Sequence, residues 1–353
     1  MAGAVRQPID LPSLERYIDQ NVPALKTPLD IKQVIRFRSI QPNYQLTTAD
    51  GKKVVLRKKP PGKLLSKTAH RVEREYQIIK ALGGTDIPVP EEFCLCEDNN
   101  VIGTPFYIME FLDGRHFTDP AMPGVSAEER NALWKNAVQT LAKFHSVVPS
   151  SVGLEGFGKP TNFFDRQIAT FNTISKAQAA VVDADTKEPV GELPYFDEMV
   201  QFFAQKSTQP RDRGTLVHGD YKIDNMIFHQ TEPRVIGILD WEMATVGHPF
   251  PWIMEGADSQ LETFQTGRVP GLPTRGGCMR EVAGYNPAED VLWGDAFFAF
   301  RGSVIMQGIA ARFAGRQASS ARAGEYAKRA KPFALGAWER VQRVQRLSQK
   351  GKL

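Results

Sequence analysis

The chain has 353 residues, 42% of them hydrophobic, enough to bury a large core in one big or two ordinary domains, which excludes a disordered tail protein. A formal net charge of +4, from 44 Lys and Arg against 40 Asp and Glu, supplies no basic footprint for nucleic acid. Three cysteines cannot all pair, and the C-x-C of Cys94 and Cys96, without further Cys or His at ligand spacing, makes no zinc site, so these two and Cys278 read as reduced thiols of a cytoplasmic protein.

Residues 1–20 lack a continuous apolar run and carry Asp10 and Glu15, so neither a secretory nor a mitochondrial leader is expected there. Two short strands are predicted at 34–35 and 44–48, a turn at Asp50-Gly51, and a third strand at 54–56. Pro60-Pro61-Gly62 ends this meander, and Val72, Tyr76, Ile79 and Leu82 then recur at helical spacing over 67–82. Strands follow at 92–96 and 105–111, closed by Asp113-Gly114, so residues 1–112 read as a β-rich unit with one helix.

Beyond it the pattern turns helical. Ser126 and Glu129 have capping-box spacing, with Leu133, Ala137, Leu141 and Phe144 on one face behind them. The polar stretch 177–195 reads as a mobile connection, 195–205 as a helix, and 271–277 as a Gly/Pro-rich loop. Residues 295–314 are apolar but interrupted by Arg301, Gln307 and Arg312, which predicts a buried helix and no membrane span. The last three residues, Gly351-Lys352-Leu353, have Gly where a peroxisomal Ser-Lys-Leu ending has Ser, and read as a frayed tail.

The most informative segment is HGDYKIDN at 218–225, followed by apolar runs at 226–228 and 235–239 that read as a β-hairpin around Pro233. Asn225 and Asp240 stand at equal distance from the turn, so they are expected directly opposite each other, roughly 4.5–5.5 Å apart. Asp220 enters the same end of the hairpin five residues before Asn225. Two carboxylates and an amide in one small volume make a hard-oxygen site for magnesium, which takes few protein ligands and leaves the rest to water and nucleotide phosphates. The spacing H-x-D-x-x-x-x-N followed by a strand-borne Asp is a phosphoryl-transfer arrangement, with one Asp at the acceptor hydroxyl and the Asn and second Asp at the metal. His218 reads as a hydrogen-bonding residue that fixes the loop, because Asp220 already takes the acceptor-facing place.

HGDYKIDN, ILDWEMATVGHP, VVLRKKPPGKLL, VEREYQIIKALGGTDIPVPEEFCLCED and VIGTPFYIMEFLDGR together resemble the aminoglycoside-phosphotransferase-like family, in its branch related to the kinase-like domains of certain acyl-CoA dehydrogenase family proteins. The resemblance implies an α+β, bilobal protein-kinase-like fold, with 1–112 as the β-rich nucleotide-binding lobe and 113–353 as the helical catalytic and acceptor-binding lobe. It implies Asp220 as the catalytic residue and Asn225 and Asp240 as the metal ligands. Arg57 stands where the strand-borne phosphate-contacting cation is expected, with Lys58 as the alternative because adjacent strand residues face opposite sides. Glu75 is similar to the carboxylate that orients that cation, its competing partner being Arg71 one helical turn away. Glu110, Phe111 and Leu112 resemble the inter-lobe hinge that binds adenine. Lys52, Lys53, Arg57, Lys58, Lys59, Lys63 and Lys67 form a basic run that otherwise reads as a solvated face.

Two departures from the family pattern stand out. The phosphate-covering turn at 37–44 contains no glycine, and the Gly247-His248-Pro249 segment continues as Phe250-Pro251-Trp252 where relatives place an Asp. The expected activity is transfer of the γ-phosphoryl group of Mg-ATP to a hydroxyl of a small molecule, with ATP and Mg2+ as cofactors and neither nucleic acid nor membrane as partner. The branch resemblance implies a hydroxyacyl or acyl-CoA-like acceptor in preference to an aminoglycoside, and 268–353, rich in Arg and Lys, matches a polycationic acceptor poorly. The alternatives are a non-catalytic nucleotide- or metabolite-binding pseudokinase and an aminoglycoside-type antibiotic kinase. A protein kinase is disfavoured by Trp241-Glu242 in place of Phe-Gly.

Overall fold

In the computed structural model the described residues are 2–3, 9–34, 43–59, 71–249, 290–318 and 323–349. Most of the glycine-free turn, Lys63, Lys67, Cys278, the 271–277 loop, residues 250–252 and the C-terminal tripeptide therefore lie outside them. Two packed units divide the chain, each built from separate stretches: the described residues of Met1–Phe157, Leu216–Thr245 and Ser259–Val282, and those of Gly158–Thr215, Val246–Asp258 and Ala283–Leu353. This division by packing differs from the lobe boundary drawn at residue 112. It groups HGDYKIDN and its hairpin with the strand-rich part of the chain.

The first unit is built on an antiparallel sheet. Its strands are β1 (Ala2–Gly3), β2 (Asp30–Val34), β3 (Asn43–Thr47), β4 (Lys53–Lys58), β5 (Glu92–Cys96) and β6 (Phe106–Glu110), ordered β1-β2-β3-β4-β6-β5. Alternation sorts β4 cleanly: Val54 and Leu56 join a core with Tyr44, Leu46, Phe106 and Ile108, while Val55 and Arg57 point to the opposite face. The first face is covered by helix α1 (Leu11–Asn21), which buries Leu14 and Ile18 and is N-capped by Asp10, whose side chain accepts from the Ser13 N–H at 3.0 Å. The sequence reading missed α1 and the short α3 (Asn99–Ile102), so this part holds more than the one helix expected, α2 (Val72–Leu82).

Helix α4 (Ala127–Ser146) begins at Ser126, whose Oγ accepts from the Glu129 N–H at 3.2 Å. The Glu129 side chain does not complete the reciprocal box and pairs with Arg115 at 2.5 Å instead. Strand β7 (Thr215–Val217) leads into the HGDYKIDN loop, and β8 (Met226–Phe228) and β9 (Val235–Ile238) form the expected hairpin.

The second unit is helical. Its helices include α5 (Phe163–Ala179), α6 (Phe196–Phe203) and α7 (Val291–Ala314), with Phe164 and Trp293 in edge contact at 4.6 Å inside a core that also holds Phe171, Phe203, Phe297 and Phe300. The segment taken from sequence as a mobile connection is instead hydrogen-bonded: α5 runs to Ala179, Val182 bridges to Pro189, and Asp183 Oδ1 accepts from the N–H groups of Asp185 and Thr186 at 2.9 and 3.0 Å. The residues there that looked like a polar linker are turn formers whose side chains bond their own backbone. Among the described residues no helix is long and apolar enough to cross a membrane.

Candidate active site

The site lies within the first unit and is assembled from β4, α2, β6 and the 218–242 segment. Arg57 is its hub. Its side chain is almost wholly buried; Nε donates to Glu75 Oε2 at 2.8 Å and Nη2 to Asp240 Oδ1 at 2.6 Å, with Glu242 Oε2 at 4.0 Å. Glu75 is fully buried and accepts a second bond, from the Tyr107 hydroxyl at 3.1 Å. The competing surface pair of Glu75 with Arg71 is thus not what forms. Burial works against the guanidinium charge, but Glu75 and Asp240 outweigh it and hold Arg57 above its ordinary pKa. Burial likewise opposes the Asp240 carboxylate, and Arg57 outweighs it and holds Asp240 below the usual carboxylate range.

Lys58 does not join this group. It lies on the other face of the sheet, its ammonium 5.5 Å from the centre of the Tyr44 ring, and burial lowers its pKa. Arg57 and Lys58 are the members of the basic run that stand apart from a solvated face, both under one-tenth exposed.

The HGDYKIDN loop is tied down by His218. This imidazole is fully buried against Trp241, 4.5 Å between ring centres; its Nδ1 accepts from the Asp220 N–H at 3.2 Å, so Nε2 carries the proton donated to the Leu239 carbonyl at 3.1 Å. Burial drives its pKa down to about 4, which keeps the ring neutral as that bonding demands. Gly219 has φ +90°, and a Cβ there would lie 2.5 Å from both Cβ and the carbonyl oxygen of Met243. Only glycine fits.

Asp220 and Asn225 come together as their spacing predicts. The Asn225 Nδ2 donates to both the backbone oxygen and the Oδ2 of Asp220, each at 2.8 Å. With both amide hydrogens committed, Oδ1 is the atom of Asn225 able to serve a cation. Asp220 Oδ2 also meets Lys222 Nζ at 2.7 Å, and Asp224 Oδ2 is 3.9 Å from the same ammonium. Burial opposes the Lys222 charge, but Asp220 outweighs it and raises its pKa. Sequence reasoning passed over Lys222; a cation two residues after Asp220 on the same loop was the available signal.

Direct opposition of Asn225 and Asp240 is not what the hairpin does. Met226 pairs with Ile238 and the Leu239 N–H donates to the Asn225 carbonyl at 2.9 Å, so Leu239 faces Asn225 and Asp240 is one residue further on. The register slips between Ile227 and Phe228, a bulge that residue counting cannot see. Asp240 turns through a left-handed conformation, φ 69° and ψ 58°, and the chain beyond it continues as a short turn of helix, Trp241–Met243. Among the described residues no group of three or more His, Cys, Asp or Glu could hold a metal ion. Magnesium, which leaves most of its ligands to water and phosphate, asks for no such group, and Asn225 Oδ1 and the Asp240 carboxylate are the donors that would serve it.

Beside Arg57 lies a mostly apolar pocket lined by Val55, Met109, Phe111, Leu112, Ile227 and Leu239, with Glu110 and Asn43 at its wall. The three hinge residues expected from sequence thus share one pocket. Leu112 reaches it by packing on Gly237, where a Cβ would come within 1.9 Å of Leu112 Cδ1.

Residues 33–250, more than half the chain, match the model of the phosphotransferase enzyme family. The chain belongs to the phosphotransferase enzyme family. This phosphotransferase-family chain is 34% identical over 351 residues to the mouse protein named acyl-CoA dehydrogenase family member 10, covering 95% of the chain and 32% of the relative. It spans about a third of the length of the curated relatives it matches. A solved structure from Ralstonia eutropha, whose name assigns it to the aminoglycoside phosphotransferases, superposes with TM-score 0.77 at 31% identity, over 95% of this chain and 99% of that one. APH(2'')-IIa, solved in a ternary complex with streptomycin and ATP, shares the fold at TM-score 0.57 and 14% identity, over 85% of this chain and 91% of that one. The fold is therefore the α+β kinase-like one, and family and fold support small-molecule phosphotransferase activity.

Proposed function

We propose that this protein transfers the γ-phosphoryl group of ATP, with Mg2+, to a hydroxyl of a small molecule, and does so in the cytoplasm. The observation that carries the reading is the paired arrangement at the hairpin mouth: Asp220 hydrogen-bonded to Asn225 at 2.8 Å, and Asp240 ion-paired to the strand cation Arg57 at 2.6 Å. Asp220 would accept the proton of the acceptor hydroxyl and orient its oxygen for attack. Asn225 Oδ1 and Asp240 would hold the magnesium, which when bound neutralises phosphate charge. Arg57, steered by Glu75, would turn its guanidinium charge toward the phosphates, and Lys222, 2.7 Å from Asp220 Oδ2, would hold that carboxylate in place. The 110–112 segment and its apolar pocket would take the adenine, with 1–112 as the nucleotide lobe and 113–353 as the acceptor lobe.

The acceptor class to test first is a hydroxyacyl-CoA-like compound. Its support is the name of the mouse relative, an acyl-CoA dehydrogenase family member. An ATP-consumption screen across hydroxyacyl-CoAs, amino sugars and amino alcohols, with Asp220→Asn as control, tests the proposal. Turnover that needs Asp220 on one acceptor class supports it; nucleotide binding without transfer to any acceptor sinks it.

One observation favours a second reading, a non-catalytic nucleotide-binding module: Arg57 already stands on Asp240 as its counter-charge. On that reading Asp220→Asn changes neither nucleotide affinity nor any measurable output.

A further inference from the structure

Asn43 opens β3 and pairs in register with Arg57, so the two side chains project from the same face of the sheet. Asn43 is only 7% exposed, and its Oδ1 is buried with no hydrogen-bond partner. Nearly all buried polar atoms are satisfied, so an amide oxygen left unpaired in the wall of a pocket marks a place where a ligand completes the bonding. The pocket is the one that Met109, Leu112 and Leu239 line.

An amide oxygen takes a donor or a cation; the cation ligands proposed above sit at the hairpin, and phosphate oxygens of a nucleotide offer no donor at neutral pH. Position along the sheet separates the remaining parts of the ligand. Glu110, at the segment read as the base-binding hinge, pairs with Val54, whereas Arg57 pairs with Tyr107 on one side and Asn43 on the other. That is three residues, roughly 10 Å, along the strand from the hinge row toward the phosphate-facing cation. The sugar is the part of a nucleotide between base and phosphates, and its hydroxyls are donors.

We propose that Asn43 Oδ1 accepts a hydrogen bond from a ribose hydroxyl of the donor nucleotide and makes the site selective for ribonucleotides over deoxyribonucleotides. This inference rests on the nucleotide-binding reading above. It assigns Asn43 a binding and specificity role, with no part in the chemistry of transfer.

The test is a set of binding titrations with ADP, 2'-deoxy-ADP, 3'-deoxy-ADP and the ADP analogue lacking the 6-amino group, on wild type, Asn43→Ala and the volume-conserving Asn43→Leu. Thermal unfolding without nucleotide is measured alongside. The expected result is about tenfold tighter binding of ADP than of one deoxy analogue by wild type, a loss of similar size for ADP in both variants, and no remaining discrimination in either. Both variants should unfold at the wild-type temperature or above, because an unsatisfied buried acceptor has been removed; a merely structural Asn43 would lower it. Retained discrimination, unchanged ADP affinity, variants that fail to fold, or lost discrimination only against the analogue lacking the amino group would each overturn the proposal. If wild type binds none of the four, the nucleotide reading itself falls; if it binds ADP and only the Asn43 dependence fails, that reading stands without this inference.

Discussion

Arg57 Nη2 lies 2.6 Å from Asp240 Oδ1, so a residue of the sheet and a residue past the end of the hairpin are joined by a nearly buried ion pair. The same guanidinium neutralises Glu75, which has no exposure at all. Arg57 is thus a condition for burying Glu75 as well as a candidate phosphate ligand.

Removing that cation alone should be costly. Arg57→Met strands the Glu75 charge in the interior and is expected to destabilise the protein by about 3–5 kcal/mol in urea unfolding. Adding Glu75→Leu should recover most of the loss. If the double variant is no more stable than the single one, the pairing is not what supports this region.

The buried neutral imidazole of His218 makes stability depend on pH. Its folded pKa is about 4 against an ordinary value of about 6.5, so the unfolded chain binds the extra proton first. Its contribution is complete above pH 6.5 and falls away as the pH drops through that window to 4, by about 3 kcal/mol in total. Asp240, held below its ordinary range by Arg57, adds a further loss at pH below about 4. Chemical denaturation at a series of pH values should show the first slope in wild type and a flatter one in His218→Gln.

Gly219→Ala tests the close approach beneath the loop. A methyl group would sit 2.5 Å from the Met243 carbonyl oxygen on a backbone of φ +90°, and a main-chain atom cannot step aside cheaply. We expect about 2–3 kcal/mol of destabilisation and a large fall in turnover, since Asp220 is the next residue. Activity near the wild-type level would show that the loop tolerates the shift.

Asp220 and Lys222 should separate activity from stability. Their side chains are 30% and 33% exposed, so the pair adds at most about 1 kcal/mol to folding. Asp220→Asn and Lys222→Met are therefore expected to unfold near the wild-type midpoint. The first should abolish transfer. The second should lower kcat by about 10- to 100-fold with little change in nucleotide affinity.

Leu112 and Gly237 make the matching test of the hinge. Gly237→Ala places a methyl 1.9 Å from Leu112 Cδ1 and must displace that side chain from the pocket wall. ADP affinity should fall while Asp220 and Asn225 stay in place. Undiminished ADP binding in a folded Gly237→Ala variant would separate the hinge from nucleotide recognition.

Local pattern carried much of this molecule. Alternation in 53–58, the Ser126 cap and the two apolar runs about Pro233 were readable because each depends on neighbours in sequence. What escaped depends on the rest of the fold. The Asn225–Leu239 pairing needed knowledge of a bulge, and the choice of Arg57 over Lys58 needed to know that α1 covers the other face. Helix α1 itself was missed because LPSLERYIDQN carries only a narrow apolar stripe, though Asp10 and Pro12 mark its start. Tyr107 and Asn43 look like any strand residues until the pairing of β3, β4 and β6 sets them beside Arg57.

The left-handed backbone of Asp240, φ 69°, restricts which replacements report on chemistry alone. Asp and Asn tolerate that conformation through short side chains that bond locally, whereas alanine pays a steric cost and β-branched residues a larger one. An alanine scan would therefore mix a backbone cost at this position with the loss of the carboxylate. Asp240→Asn keeps the turn while removing the counter-charge of Arg57, so it is the replacement whose cost in stability reports the ion pair and not the backbone.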